Sequence, residues 1–346
     1  MKILNRNIDI SSKPFVIAEM SGNHCKSLSV ALKIVEAAAK SGADAIKLQT
    51  FSLNAMTLNL KTKNFIISDN KSLWKGKKLY NLYNKVHTPW NWHSTIIKQA
   101  KKFGLICFSS VFDEESLDFL ESLNAPAYKI ASFENNHYPL IEKVAKTKKP
   151  LIISTGLASY KDLDEIYRIL KKSKNLNFAF LKCTSSYPAS PENTNLNTIP
   201  SLIKKYKCTV GLSDHTLGTS TAIASISLGS RIIEKHIKLS KKSKSLDDKF
   251  SLDPYEFKKM TLGISTAWKS LGKNYLGLSN EENKSKLFKR SIYVTKKINK
   301  GEIFSKNNIK VIRPGNGLHP KFFNKLLGKK SKKDLKKGTP TRKNIF

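Results

Sequence analysis

Residues 208–236 read CTVGLSDHTLGTSTAIASISLGSRIIEKH, and they hold one complete strand–helix–strand unit. The first apolar run, 208–212, breaks into Ser213, Asp214 and His215. The segment STAIASISLG follows at helical spacing, and Gly229 stops it. A second run, 231–236, ends on Glu234 and His236. Strands joined through a helix run parallel. In parallel sheets the polar residues at the C-terminal strand ends are the ones that meet ligands.

Working outward, the same unit recurs. Apolar runs at 15–20, 45–49, 105–109, 127–131, 151–154 and 178–183 bring the total to eight. Amphipathic stretches such as SLSVALKIVEAAAKSG, EESLDFLESLN and YPLIEKVAKTKK separate them, and a last helix is predicted over 253–271 with Pro254 in its first turn. Eight strand–helix units in this length predict an α/β fold, a (β/α)8 TIM barrel, over residues 1–271. An open doubly wound sheet is the other arrangement, but no GxGxxG follows the first run. A long polar and aromatic insertion, 57–87, falls between the second strand and its helix. On a barrel that is the catalytic face, where long loops carry function. Residues 272–285 read as a linker, and 286–346 as a small β-rich domain punctuated by Gly and Pro.

The chain has 346 residues, 40% of them hydrophobic, and a formal net charge of +36. Half of that excess falls from Lys284 onward, yet lysines occur along the whole chain and are not interleaved with aromatics. This pattern speaks against nucleic-acid binding; Lys and Asn enrichment can simply reflect an AT-rich genome, and a general positive field would still help capture an anionic substrate. No stretch approaches the roughly 20 apolar residues of a membrane span. Asn5, Asn7 and Asp9 interrupt any signal-peptide layout, so a cytoplasmic protein is expected. Cys25, Cys107, Cys183 and Cys208 lie far apart, which argues against a disulfide framework or a zinc ribbon.

The strand ends carry the chemistry. In order they present Glu19; Lys47 and Gln49; Ser110; Lys129 and Ser132; Ser154; Ser185; Ser213, Asp214 and His215; Glu234 and His236. Lysines with hydroxyls and backbone N–H groups make a cradle for phosphate and carboxylate. The plainer reading of the lysines is a buried ion pair with Glu19 or Glu234, and single serines also serve as helix caps. His215 and His236 end neighbouring strands about 5 Å apart, within reach of one divalent ion. With oxygen donors completing the shell, Mn²⁺ or Mg²⁺ suits them better than structural zinc.

IAEMSGNH, GADAIKLQTF, FSSVFD, YKIASFE, ISTGLA, LKCTSSYPASPENTNL, VGLSDHTLG, IIEKHI and IRPGNGL resemble the sialic acid synthase family, in order over nearly the whole chain. The resemblance implies a TIM barrel followed by an antifreeze-like SAF domain, and a homodimer in which each SAF domain, swapped, caps the partner's barrel. It implies a divalent metal ion, Mn²⁺, Mg²⁺ or Co²⁺, held by His215 and His236. Glu19 is then the general base. Lys47, Ser110, Lys129, Ser132, Ser154, Ser185 and Ser213 hold phosphoenolpyruvate. Gln49, Tyr187 and Asp247 contact an amino sugar, and Arg313 reaches in from the SAF domain. SLWKGKKLYNLY, TPWNWH, IASFEN and FSLDPYEF resemble the branch that condenses phosphoenolpyruvate with 2,4-diacetamido-2,4,6-trideoxy-altropyranose to give pseudaminic acid. The N-acetylneuraminate and legionaminate branches are the alternatives. The sequence departs from the family pattern at Cys25, Val111, Leu157 and Ser185, and around 244–248, where either Asp247 or Asp248 meets the sugar.

Overall fold

A hairpin of two-residue strands, β1 (Lys2–Ile3) and β2 (Arg6–Asn7), precedes the first long apolar strand in the computed structural model, which describes residues 1–69, 74–241 and 245–346. Eight parallel strands then close into a barrel: β3 (Phe15–Glu19), β4 (Ala45–Thr50), β5 (Ile106–Val111), β6 (Tyr128–Ile130), β7 (Leu151–Ser154), β8 (Phe178–Cys183), β9 (Thr209–Asp214) and β10 (Ile232–His236). β10 pairs with β3 to complete the circle.

The two faces of each strand explain why the strands read as continuous apolar runs. Ile17, Ala45, Phe108, Ala127, Ile152, Leu181 and Ile232 form one buried cluster inside the barrel, joined by Ile3 and Ile8 of the hairpin region. That region lies at the N-terminal strand ends, where Lys2 N–H donates to Asn177 Oδ1 and Thr209 Oγ1 donates to the Ile8 carbonyl. It plugs the barrel from below. The alternate residues Val16, Ala18, Ile46, Leu48, Leu212 and Ile233 face outward and pack beneath the surrounding helices. Strands covered on both faces show no alternation of polarity.

The helices form where the sequence supplies caps. Ser27 accepts from Val30 N–H at the start of Leu28–Lys40, whose Ala31, Ile34, Val35 and Ala38 are buried at helical spacing. Asp253 and Glu256 make a capping box before Pro254–Ser270. The insertion contains a helix of its own, Leu79–Val86, which packs on the turn after β3. A Cβ on Gly22 of that turn would lie 2.5 Å from Val86 Cγ1, so only glycine fits there. Residues 70–73 of the insertion, and Lys244 of the later loop, lie outside the described residues.

The chain divides into two compact units, Met1–Gly272 and Lys273–Phe346. In the second, β11 (Ser291–Val294) pairs antiparallel with β12 (Ile309–Ile312). Ile292, Val294, Ile298, Phe304, Ile309, Leu326, Leu335 and Ile345 form its own core. Among the described residues no helix is long and apolar enough to cross a membrane.

Candidate active site

The inward phase of the strands continues past the apolar layer into charge. Two residues beyond Ile17 stands Glu19, beyond Ala45 Lys47 and then Gln49, beyond Phe108 Ser110, and beyond Ala127 Lys129. Likewise Ile152 leads to Ser154, Leu181 to Cys183, and Ile232 to Glu234 and His236. A period of two fixes all of them on one face. Glu19, Lys47, Lys129 and Glu234 are 1%, 3%, 1% and 5% exposed, so two cations and two carboxyls share a dry site.

Lys47 Nζ lies 2.6 Å from Glu19 Oε2, while Glu234 stands 3.9 Å from both Lys47 and Lys129. Lys47 also donates to Ser110 Oγ at 3.0 Å, and Lys129 to Ser154 Oγ at 2.6 Å. Gln49 Nε2 donates to Glu19 Oε1 at 2.9 Å, and Ser213 Oγ to Glu234 Oε1 at 3.1 Å. The environment pulls the two carboxyls apart. Burial pushes Glu19 up to about 7 against the opposing charge of Lys47, with Glu234 adding to the rise. Glu234 is also pushed up by burial, but Lys129 and Lys47 outweigh this and hold it below its ordinary value. A pair separated in this way supplies one fixed counter-ion and one group able to exchange a proton near neutrality. Burial likewise lowers Lys129, with Glu234 opposing.

Beside Lys129 the backbone itself comes close. A Cβ on Gly156 would lie 2.1 Å from Ser185 Oγ and 2.6 Å from Ser132 Oγ, so the gap between these hydroxyls exists only because residue 156 has no side chain. Asn135 Nδ2 holds that turn by donating to the Gly156 carbonyl at 2.8 Å. Cys183 Sγ lies 3.9 Å from His215 Nδ1. Burial pushes the Cys183 thiol up, but His215 and Lys129 more than offset this and bring it to about 7.

The rings of His215 and His236 have centroids 5.5 Å apart. His215 Nδ1 is 3.0 Å from the Thr184 carbonyl; donating that proton leaves Nε2 with its lone pair. Burial, with His215 and Lys47 adding, holds His236 well below its ordinary value, so its ring is neutral. Its Nδ1 is buried and without a hydrogen-bond partner among the described residues. Burial pulls His215 down, but Cys183 and the Thr184 carbonyl outweigh this and raise it above its ordinary value, so His215 must give up a proton to join the neutral His236 as the protein's share of a divalent shell. No group of three or more His, Cys, Asp or Glu side chains joins them among the described residues, so the remaining positions fall to water or substrate oxygens.

Next to these groups lies a cavity of about 290 Å³ whose polar lining includes Gln49, Ser132, Tyr187, His236 and Asp247. The Tyr187 ring lies 4.4 Å from that of His215. Asp247 Oδ2 is 3.8 Å from His236 Nδ1, whereas Asp248 turns away to pair with Lys238 at 2.8 Å. Its apolar lining comes largely from the insertion and its approach: Met56, Ile67, Leu79, Leu82 and Val86. Every barrel residue singled out from the sequence thus lies at the C-terminal strand ends or on the loops that follow them. Arg313 belongs to the second unit, exposed in the turn after β12. The sequence reading passed over Glu134, Gly156 and Cys183. Burial pushes the Glu134 carboxyl up to about 7, and its Oε2 is buried without a hydrogen-bond partner among the described residues. The signal for Glu134 was its place two residues after Ser132, on the loop following a strand end.

A closed barrel whose C-terminal mouth gathers lysines, hydroxyls, a near-neutral carboxyl and two imidazoles is an enzyme built to handle an anionic substrate. The chain belongs to the NeuB family, whose model matches residues 34–275, and an SAF domain follows at 289–344. It is 47% identical over 346 residues to the pseudaminic acid synthase of Campylobacter jejuni subsp. jejuni serotype O:23/36, covering 100% of both chains. It is 42% identical to that of Helicobacter pylori, covering 94% of this chain and 96% of the relative. Among solved structures, the spore coat polysaccharide biosynthesis protein SpsE of Bacillus subtilis superposes with a TM-score of 0.68 at 33% identity, covering 99% and 97%.

Proposed function

We propose that this chain condenses phosphoenolpyruvate with the open-chain form of 2,4-diacetamido-2,4,6-trideoxy-altropyranose and water, giving pseudaminic acid and phosphate. The observation that carries the reading is the buried set of Lys47 and Lys129 with serine hydroxyls beside Glu19, next to a partly apolar cavity that Gln49, which donates to Glu19, and Ser132 help to line. Lys47, Lys129 and the hydroxyls of Ser110, Ser132, Ser154 and Ser185 hold the phosphate and carboxylate of phosphoenolpyruvate. Carbon 3 of that substrate attacks the sugar aldehyde, and the alkoxide so formed ends with the proton that Glu19 takes from water in the next step. Water then adds at carbon 2, and Glu19, with its raised pKa, takes the proton that water releases. Phosphate departs by cleavage of its bond to carbon 2, leaving the ketone. Glu234 stays ionised and balances the two lysines through the cycle. A divalent ion held by His215 and His236 would supply Lewis-acid polarisation of the aldehyde. Gln49, Tyr187 and Asp247 orient the sugar. The apolar wall suits the 6-methyl and acetyl methyl groups better than the hydroxyls of N-acetylmannosamine.

Phosphate release from phosphoenolpyruvate, followed with a panel of amino sugars and Mn²⁺, Mg²⁺ or Co²⁺, tests the reading. The expected result is turnover with the altro-configured diacetamido sugar. Preferred turnover with N-acetylmannosamine or with the manno-configured diacetamido sugar reassigns the chain to the neuraminate or legionaminate branch. Release with no sugar in the panel sinks the synthase reading.

The reading extends to a cytoplasmic homodimer with swapped SAF domains, in which Arg313 of one subunit meets the substrate in the other's barrel. Arg313 stands exposed in its turn, and its charge matches phosphate and carboxylate. Mixing subunits that carry Arg313→Ala with subunits that carry His236→Ala tests it. Action in trans restores about a quarter of wild-type activity after random exchange, because a two-fold partner supplies the missing group. No recovery despite demonstrated exchange defeats the swap.

A further inference from the structure

His215 and His236 each follow a charged residue that faces the opposite way. Asp214 and Lys235 are register partners on β9 and β10, and they point outward, between the barrel and its helices. Their side chains are 1% and 0% exposed, and Lys235 Nζ lies 2.7 Å from Asp214 Oδ2. The pair does more than neutralise itself. Asp214 Oδ1 accepts from Thr216 N–H at 2.9 Å and from Thr216 Oγ1 at 2.8 Å, while Lys235 donates to the Thr216 carbonyl. Thr216 is itself fully buried. All the polar groups of that residue are therefore tied to a single ion pair, which spans the two strands that carry the histidines.

We infer that the Asp214–Lys235 pair is a positioning strap that sets the separation and orientation of His215 and His236. The inference rests on the reading of those histidines as divalent-ion ligands. Stability alone does not account for the pair. Burying two charges is expensive, and well-packed apolar residues of the same volume often serve a core as well or better. What an apolar pair cannot do is bond Thr216. His215 is held on one side by Asp214, on the other by the strapped Thr216, and by its own ring through Thr184. Its carbonyl is held as well, accepting from Ala189 N–H at 3.0 Å. His236 comes directly after Lys235 on the partner strand. A strap across adjacent strands turns two flexible side chains into one rigid pair of donors, the role that outer partners play at metal sites.

The test compares wild type with Asp214→Asn/Lys235→Met, which removes both charges together and leaves none unpaired. Three quantities are read on metal-stripped protein: the melting midpoint, circular dichroism, and Mn²⁺ affinity from the electron paramagnetic resonance signal of free Mn²⁺. The expected variant is folded, melts cooperatively and binds Mn²⁺ about 10–100-fold more weakly, as loss of outer-shell support does elsewhere. Lys235→Arg, which keeps the charge and a donor, should retain more affinity than Lys235→Met. Should the double variant not fold, Thr216→Val removes one strap bond at constant shape, and a several-fold weakening is expected. Folded variants with wild-type Mn²⁺ affinity overturn the strap alone. Wild-type protein that takes up no divalent ion, or whose uptake survives His236→Ala, overturns the metal reading and the strap with it.

Discussion

The inner and outer faces of β9 and β10 bury charge equally well and use it differently. Outside, Asp214, Lys235 and Thr216 satisfy one another, and the group is closed. Inside, Glu234 Oε2 and His236 Nδ1 are just as deep, yet have no hydrogen-bond partner among the described residues. An unpaired buried polar atom carries a desolvation penalty of about 1–3 kcal/mol that a packed core avoids. Tolerating it on one face of a strand while avoiding it on the other marks the face reserved for something that comes and goes. On these two strands burial alone does not separate the faces; unmet bonding capacity does.

The sharpest way to break this comparison is to remove an inner group whose buried nitrogen has no hydrogen-bond partner among the described residues. His236→Ala should weaken divalent-ion binding by more than about 100-fold, beyond the usual outer-shell effect, and excess chelator should abolish turnover until a divalent ion is returned. Full activity in excess chelator refutes it. Glu19→Gln keeps the shape and the bond from Gln49, and should lower kcat by about 100-fold or more with little change in the KM for phosphoenolpyruvate. The raised Glu19 pKa adds a signature. Protonated Glu19 accepts nothing, so wild-type activity should fall as pH drops through about 7, a limb missing from the residual activity of the variant. A variant within tenfold of wild type limits Glu19 to pairing with Lys47.

Gly156→Ala places a methyl among Ser132 and Ser185, and should raise the KM for phosphoenolpyruvate by about tenfold through misplaced hydroxyls. An unchanged KM would mean that the narrow gap is not part of the cradle. The smallest effect is expected at the wall. Met56→Gln, close in volume but polar, should lower kcat/KM for the trideoxy diacetamido sugar by about tenfold while leaving N-acetylmannosamine less affected, within the range that pocket apolarity commands. Equal losses on both sugars would assign the wall to packing.

Much of the inner face was legible in the sequence, because each apolar run ended in a polar residue and eight repeats set the geometry. The outer pair was not. In strands apolar on both faces nothing marks which phase points inward, so Asp214 read like the candidate site residues beside it and Lys235 was passed over. The choice between Asp247 and Asp248 was open for a different reason. It depends on the path of a loop, and the structure turns Asp247 to His236 and Asp248 to Lys238. The hairpin below the barrel escaped notice because two-residue strands carry no periodicity. Glu134 was hidden by its company: it follows an exposed Phe133 on a short turn, and only the folded cavity shows its carboxyl to be buried.

The plug formed around Ile3 and Ile8 has a kinetic consequence. With its lower end filled, the barrel is a well that opens at its C-terminal mouth, and ligands queue there. If phosphoenolpyruvate occupies the lysines at the depth of Glu19 and the sugar lies above it against the Met56–Val86 wall, the deeper substrate has to enter first. A sugar already in place would block the way down, so an excess of sugar should slow turnover, and phosphate, sharing the deepest seat, should be the last product to leave.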